Sequence, residues 1–148
     1  LILLDTEAGP ATPDQQAAYG AMIDTWVSVG AVPELAEIVA NIIIAEPVAN
    51  AEWIAKWQAR PKELLAEPGR CLLSRDDIRG RLAEITCPAL VVHGTDDTAI
   101  TMEQAEELAA GLVGCGGVVK VGGAHAANLT NPEPVNAAIL EFLAGLPA

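Results

Sequence analysis

Basic residues are scarce in this sequence. The 148 residues include 8 lysines and arginines against 20 aspartates and glutamates, which gives a net charge of −12. A surface of this sign repels the phosphates of nucleic acids and the headgroups of anionic membranes. The composition therefore argues against a nucleic-acid-binding domain and against a domain that binds acidic lipid surfaces.

Long apolar runs are also missing. The longest, around residues 42–45, is closed by Glu46 and Pro47, whereas a helix that crosses a bilayer needs about 20 apolar residues. The apolar start at residues 1–4 has no basic residue before it, so we expect no signal peptide. Because the sequence does not begin with methionine, we expect it to belong to a longer gene product.

Cysteine is rare, and the cysteines are far apart in the sequence. Cys71, Cys87 and Cys115 form no CxxC pair. An odd number of isolated cysteines is typical of free thiols in a reducing compartment. We therefore expect a cytoplasmic protein, and we expect no zinc or other metal site.

The chain does have enough apolar residues, 51% of the total, to build the core of one domain. Periodicity predicts a strand, a long helical stretch and then an alternation of strands and helices. The predicted strands cover 1–5, 88–93 and 118–121, and the predicted helical segments cover 14–29, 33–45, 50–59, 61–65, 74–82, 102–112 and Pro132 onward. The helical stretch is longer than an ordinary crossover between parallel strands. We therefore interpret residues 11–70 as an inserted helical cap, and residues 1–10 with 71–148 as the α/β core.

Two consecutive predicted strands end in residues that suit acid–base chemistry. The segment from Pro88 to Asp97 consists of a proline, a short apolar run, a glycine and two acids. Strand 118–121 is followed by two glycines, Ala124 and His125. Open α/β sheets form their sites at the carboxyl ends of the strands. An aspartate and a histidine at this edge predict part of a hydrolase triad.

The sequence resembles the C-terminal half of α/β-hydrolase-fold enzymes with a helical cap, and among them it is similar to enol-lactonases and carboxylesterases. The resembling segments are Leu1–Thr6, Asp76–Leu82, Ile85–Asp97, Ala124–Asn128, Asn131–Glu133 and Phe142–Leu143. The resemblance as a whole extends over essentially the whole chain, strongly over residues 75–144 and loosely over the cap. The resemblance implies an α/β fold that contains the last three parallel strands of the hydrolase sheet and a cap insertion.

The resemblance also implies roles for two residues. Asp97 would be the triad acid and His125 the general base, and their separation of 28 residues leaves room for one helix and one strand. In such a triad the histidine takes the proton of the nucleophile and later gives it to the leaving group, while the aspartate orients the imidazole. The family usually has glycine at the position of Ala124, and the extra methyl group does not remove the imidazole.

Alternatives remain open for each of these residues. Asp97 could cap the segment that follows it, and His125 could be an ordinary loop histidine. Asp5 also follows a predicted strand, and some family members place the triad acid there. Asp96 is expected to be a turn residue, and His93 a packed or hydrogen-bonded core histidine.

Two tryptophans are candidates for substrate binding. Trp53 and Trp57 are four residues apart and therefore lie on one face of a predicted helix. They could line an apolar substrate pocket, or they could pack the cap onto the core.

Serine, the expected nucleophile, is nearly absent. The only serines are Ser28 and Ser74, and neither lies in a G-x-S-x-G elbow, which needs a strand before it and a helix after it. Ser28 falls in a predicted helix and is a minor candidate, and Cys71 follows no strand. We therefore expect the nucleophile to lie upstream of Leu1, which would leave the first strand without a neighbour on one side.

We predict that the chain is part of a serine-type hydrolase that cleaves an ester or lactone through an acyl-enzyme. The resemblance implies no metal or organic cofactor, and the chain alone would be inactive or nearly so. Its expected partners are the small ester or lactone, and either a second copy of the chain or the missing N-terminal half. The alternative is a non-catalytic, hydrolase-like binding or assembly module.

Overall fold

The computed structural model describes residues 1–147, which form a three-stranded parallel sheet and seven α-helices. In chain order the elements are β1 (Ile2–Leu4), α1 (Pro13–Val29), α2 (Pro33–Ile43), α3 (Pro47–Gln58), α4 (Ala66–Leu73), β2 (Ala89–Gly94), α5 (Met102–Gly111), β3 (Cys115–Val121), α6 (Ala127–Thr130) and α7 (Pro132–Ala144). Two 3₁₀ helices cover Lys62–Leu65 and Arg79–Glu84. The fold is therefore α/β, as predicted.

The sheet has the order β1-β2-β3, so β2 is the central strand. Every residue of β2 is buried, which explains why its sequence is apolar apart from His93, since a central parallel strand is covered on both faces. Leu3 of β1 and Val118 of β3 both lie opposite Val91. Because all three strands run in the same direction, their carboxyl ends meet at one edge.

Each face of the sheet has its own apolar layer, because successive side chains of a strand point to opposite faces. One layer contains Ala8, Leu82, Ala89, Val91, Leu108, Ala109 and Leu112, so α5 and the second 3₁₀ helix cover it. The other contains Leu90, Val92, Val121, Ala127 and Val135, which α6 and α7 cover. Full burial of a valine or leucine side chain contributes about 1.5–3 kcal/mol, so these two layers hold the strand ends in register.

The chain divides into two compact units. The first contains Leu1–Ala8, Ile42–Ala45 and the chain from Ile78 onward; the second contains Gly9–Asn41 and Glu46–Asp77 and is helical. In the helical unit, α1 starts with a capping box between Thr12 and Gln15, which satisfies free N–H groups of the first turn. The interpretation of residues 11–70 as an inserted helical cap stays a prediction.

Most of the predicted elements are confirmed, but the helix boundaries near prolines are not. Pro47 was expected only to end a helix, yet it also opens α3, where the side chain of Glu46 accepts hydrogen bonds from the N–H groups of Val48 and Ala49. The sequence predicts no helix between the segments 61–65 and 74–82, and this is wrong, because α4 covers Ala66–Leu73 and continues through Pro68. Pro68 lies in the first turn of α4, where a missing N–H costs no helical hydrogen bond.

Two further features of the described residues bear on function. Within residues 1–147, no helix is both long and apolar enough to cross a membrane. In the sheet that these residues form, β1 pairs with β2 alone, so the other side of β1 is an open sheet edge.

Candidate active site at the strand ends

Backbone hydrogen bonds hold the three strand ends side by side. The N–H of Asp5, just after β1, donates to Val92 O at 3.0 Å. Just after β2, the N–H of Thr95 donates to Val121 O at 2.8 Å and that of Asp96 to Gly123 O at 2.9 Å. The loop after β2 and the loop after β3 therefore have one defined alignment.

Gly94 lets these two loops approach each other closely. A Cβ atom at this position would lie 2.4 Å from Gly123 O and 2.5 Å from Ala124 O. No side chain fits at that distance, so only glycine allows the backbone before His125 to lie on the end of β2.

Asp97 and His125 form a hydrogen-bonded pair. His125 Nδ1 lies 2.9 Å from Asp97 Oδ2. The other carboxylate oxygen, Oδ1, accepts hydrogen bonds from the N–H groups of Ala99 at 2.8 Å and Ile100 at 3.0 Å. Asp97 thus both caps the segment after it and orients the histidine. Its side chain is fully buried, whereas 27% of the His125 side chain is exposed.

The pKa values of the two groups shift in opposite directions. Burial acts to raise the pKa of Asp97, but the hydrogen bond from His125, the charge of His125 and the N–H groups of Ile100 and Ala99 together outweigh it, so that pKa is lowered. The hydrogen bond to Asp97 raises the pKa of His125, although burial opposes the shift. The pair is therefore an aspartate ion beside an imidazole that binds a proton more tightly than usual.

This geometry leaves the second ring nitrogen of His125 available. Because Asp97 is ionised, Nδ1 carries the proton that it donates, and Nε2 of the neutral ring keeps its lone pair. No group among residues 1–147 forms a hydrogen bond with Nε2. A neutral imidazole in this tautomer, backed by a carboxylate, can act as a general base at Nε2.

His93 is a core histidine, which confirms the prediction. It is fully buried, and its Nε2 donates to Ile100 O at 3.0 Å. Its Nδ1 is 3.8 Å from Asp5 Oδ1 and has no hydrogen-bond partner among the described residues. His93 therefore packs between the carboxyl groups of Asp5 and Asp97 without reaching the surface.

Asp5 is hydrogen-bonded to backbone N–H groups and not to His125. Its Oδ1 accepts a hydrogen bond from the N–H of Gly94 at 2.8 Å and its Oδ2 one from the N–H of Ala127 at 3.3 Å. Burial raises the pKa of Asp5, and the N–H of Gly94 only partly offsets this. Of the two strand-end aspartates, Asp97 is the one that is hydrogen-bonded to the imidazole.

Asp5, His93 and Asp97 bring their ligand-type atoms within 4.8 Å of one another, a spacing compatible with a metal ion. However, both oxygens of each carboxylate already accept hydrogen bonds, and His93 Nε2 is bound to Ile100 O. A cation would have to break several of these bonds. The hydrogen bonds alone account for the arrangement.

The other candidate residues lie in the helical unit. Ser28 is in the last turn of α1 and Ser74 follows the end of α4, so neither occupies a strand-to-helix turn. The ring of Trp57 is 5.7 Å from that of the buried Trp26, and the ring of Trp53 is 6.3 Å from that of Trp57. The two predicted tryptophans thus pack within an aromatic cluster, and a role in substrate binding stays a prediction.

Three known proteins show what the chain is similar to. A RutD protein from Pseudomonas savastanoi pv. phaseolicola is 34% identical over 67 residues, which are 45% of this chain and 26% of that protein. A hydrolase from Pseudomonas aeruginosa PA01 superimposes with a TM-score of 0.82 and 27% identity over 99% of this chain. The enol-lactonase from Burkholderia xenovorans LB400 gives a TM-score of 0.81 and 26% identity over 97% of this chain.

This chain has a partial α/β-hydrolase fold. It spans 55% of the length of each of these two solved structures. No protein-family model matches it. These two solved structures are a hydrolase and an enol-lactonase, and the resemblance seen in the sequence is confirmed at the level of the fold.

The sequence predicts Asp97 as the acid and His125 as the base, and the structure brings these two side chains into hydrogen-bonding contact. For Asp5 the sequence predicts only the role of an alternative acid. The bridge from Asp5 to Gly94 and Ala127 crosses 89 and 122 residues of sequence. Both donors are backbone N–H groups, so the residue types at these two positions do not indicate the hydrogen bonds to Asp5. The one local signal is an aspartate directly after a short apolar strand.

Proposed function

We propose that this chain supplies the acid and the general base of a serine-type α/β hydrolase that cleaves an ester or a lactone. The observation that carries the proposal is the 2.9 Å contact between His125 Nδ1 and the buried Asp97 carboxylate, with Nε2 left available. The similarity to an enol-lactonase and to other hydrolases of this fold supports an acyl-transfer reaction.

In the proposed reaction, His125 Nε2 takes the proton from a serine hydroxyl as the serine oxygen bonds to the carbonyl carbon of the substrate. The imidazolium, stabilised by Asp97, then gives that proton to the departing alkoxide, and an acyl-enzyme remains. Water attacks the acyl carbon while His125 takes one of its protons. The acid product is released and the serine is protonated again.

The nucleophile belongs, in this proposal, to residues upstream of Leu1 or to a second polypeptide. The helical positions of Ser28 and Ser74 support this, because a nucleophile elbow needs a strand before the serine. The open edge of β1 supports it too, since unpaired strand edges bind further strands. The missing half of the sheet, or a second copy of the chain, would pair there.

The test is ester and lactone hydrolysis by the complete protein and its His125→Ala variant. We expect the variant to lose at least about a thousandfold in kcat/KM, because a triad acts as one unit. The matched control is Asp96→Asn, an exposed acid in the same turn, which should keep full activity. Full activity of His125→Ala would refute the proposal.

A second candidate is a hydrolase-like binding or assembly module without catalysis. The observation in its favour is that neither serine of the described residues lies at a strand-to-helix turn. A fluorophosphonate probe separates the two candidates, because it labels an activated serine and leaves a non-catalytic module unlabelled. Light scattering after size-exclusion chromatography adds to this, since an assembly module should not be a monomer.

A further inference from the structure

Asp5 has an unusual backbone conformation for a residue with a side chain. Its φ is +46°, in the left-handed region, which costs a residue other than glycine free energy. Glycine would avoid this cost, and asparagine would tolerate it as well as aspartate does. The presence of aspartate therefore requires an explanation that involves its carboxylate.

The carboxylate of Asp5 joins the two segments that carry the candidate acid and base. Gly94, whose N–H it binds, lies three residues before Asp97, and Ala127, whose N–H it also binds, lies two residues after His125. The side chain is buried, with 6% exposed, so both hydrogen bonds are shielded from water. The bond from Gly94 is short, at 2.8 Å, and the bond from Ala127 is longer, at 3.3 Å.

The same two segments have little freedom to adjust. The end of β2 touches the carbonyl groups of Gly123 and Ala124 where Gly94 has no side chain, and Asp96 binds Gly123 O. These contacts set the approach of the loops on one side of His125. On the other side, the Asp5 carboxylate accepts the N–H of Ala127, whose methyl group also packs in the apolar layer covered by α6 and α7.

We propose that Asp5 is a positioning residue that holds the His125 loop against the Asp97 turn by bridging Gly94 and Ala127. The inference rests on the proposed function, in which His125 acts as the base. Without the hydrogen bond from Ala127 to Asp5, the loop would be held less firmly after His125, and the imidazole could move relative to Asp97. Displacements of about 1 Å at a reacting group can cost about a hundredfold in rate.

The charges around His125 make its pKa sensitive to the removal of Asp5, and this pKa can be measured. Asp97, after β2, and Asp5, after β1, both favour the protonated imidazole. His93 lies within β2 between the two carboxyl groups, and Glu133 in the first turn of α7 is exposed to solvent. Removal of the Asp5 charge should therefore lower the pKa of His125, whereas removal of a distant surface charge should not.

The experiment compares Asp5→Asn, Asp5→Gly and the control Asp96→Asn in the complete protein. Asparagine keeps the size and the left-handed backbone but can accept only one of the two hydrogen bonds. Glycine relieves the backbone strain and removes the bridge altogether. The readouts are kcat and KM for an ester, and the NMR titration of the His125 ring, which is assigned by its loss in His125→Gln.

We expect Asp5→Asn to lower kcat about tenfold with little change in KM and to lower the pKa of His125. Asp5→Gly should lower kcat further, and Asp96→Asn should change none of these values. If Asp5→Asn and Asp5→Gly keep the wild-type kcat per folded molecule and the wild-type pKa of His125, the inference is wrong. If one variant does not fold, the other decides.

The two proposals can fail separately. If the complete wild-type protein hydrolyses no ester or lactone, the proposed function fails. The titration of His125 in the Asp5 variants still tests the bridge, because it needs no substrate. An unchanged His125 pKa in both variants would then overturn the positioning role.

Discussion

Two aspartates follow neighbouring strands of this sheet, yet they behave as different groups. Asp5 and Asp97 are both buried, and each accepts two backbone N–H hydrogen bonds. Burial raises the pKa of Asp5, whereas the pKa of Asp97 is lowered despite burial. The difference is the imidazole, because His125 donates to Asp97 and not to Asp5.

Burial and hydrogen bonds from backbone N–H groups are common to both aspartates, so these two properties alone do not enable a carboxylate to support acid–base catalysis. A carboxylate can stabilise an imidazolium only if it remains ionised beside it. Asp97 meets both conditions. Asp5, which bridges two backbone segments, suits a role in holding those segments together.

The largest expected effect comes from removing the carboxylate that pairs with the imidazole. In the complete protein, Asp97→Asn should lower kcat/KM by about 10³–10⁴-fold, because an amide no longer selects the Nδ1–H tautomer or stabilises its cation. Hydrolysis assays with Asp96→Asn as control measure it. Equal losses of kcat/KM in Asp97→Asn and Asp96→Asn would contradict the assignment of Asp97 as the acid that pairs with His125.

The fold was predictable because its signals are local. The short apolar run before His93 and Gly94 predicts a buried strand, and the predicted helix over 102–112 corresponds to α5, which Thr101 and Gln104 cap. The pairing of Asp97 with His125 followed from the resemblance to a family. Asp5 could not be assigned in the same way, because its partners are backbone N–H groups far away in the sequence.

Proline was the main source of wrong boundaries. Pro68 looks like a helix breaker in the sequence, but it occupies the first turn of α4. Whether a proline ends or opens a helix depends on where the preceding chain enters, and that is decided by packing rather than by the local sequence.

A second prediction concerns the close approach of Gly94, which lies between the two aspartates in the structure's hydrogen-bond network, to the loop after β3. Gly94→Ala would place a methyl group 2.4 Å from Gly123 O, and we expect it to lower the free energy of unfolding by about 1–3 kcal/mol. Gly116→Ala, where a Cβ would meet no atom within 4 Å, is the matched control. Urea denaturation of both variants measures the difference, and equal stabilities would contradict the close approach.

The pH dependence of stability should distinguish the two aspartates by sign. The lowered pKa of Asp97 stabilises the fold above the ordinary pKa of 3.8, and this contribution is lost as the pH falls. The raised pKa of Asp5 acts in the opposite sense, since the fold favours its protonated form and loses that contribution as the pH rises.

Denaturation series between about pH 3 and pH 7 should therefore diverge. The loss of stability in Asp97→Asn should be greater at neutral pH than in acid, and that in Asp5→Asn greater in acid than at neutral pH. Parallel curves for the two variants would show that the two carboxyl groups do not differ as described.

The smallest effect is expected away from the strand ends. Lys120 Nζ lies 2.7 Å from Glu106 Oε1, but 53% of each side chain is exposed. Exposed ion pairs contribute about 0–1 kcal/mol, so Lys120→Ala should change the free energy of unfolding by less than about 1 kcal/mol and leave kcat unchanged. A larger loss of stability would show that the Lys120–Glu106 ion pair contributes more than an exposed ion pair normally does.

The most direct test of the central claim is fluorophosphonate labelling of the complete protein, because it needs no knowledge of the substrate. If Asp97 and His125 activate a serine, the wild-type protein is labelled and His125→Ala is labelled at a rate at least about a hundredfold lower. Equal labelling rates in the two proteins, or no labelling of the wild type, would contradict the assignment of these residues as the acid and base of a hydrolase.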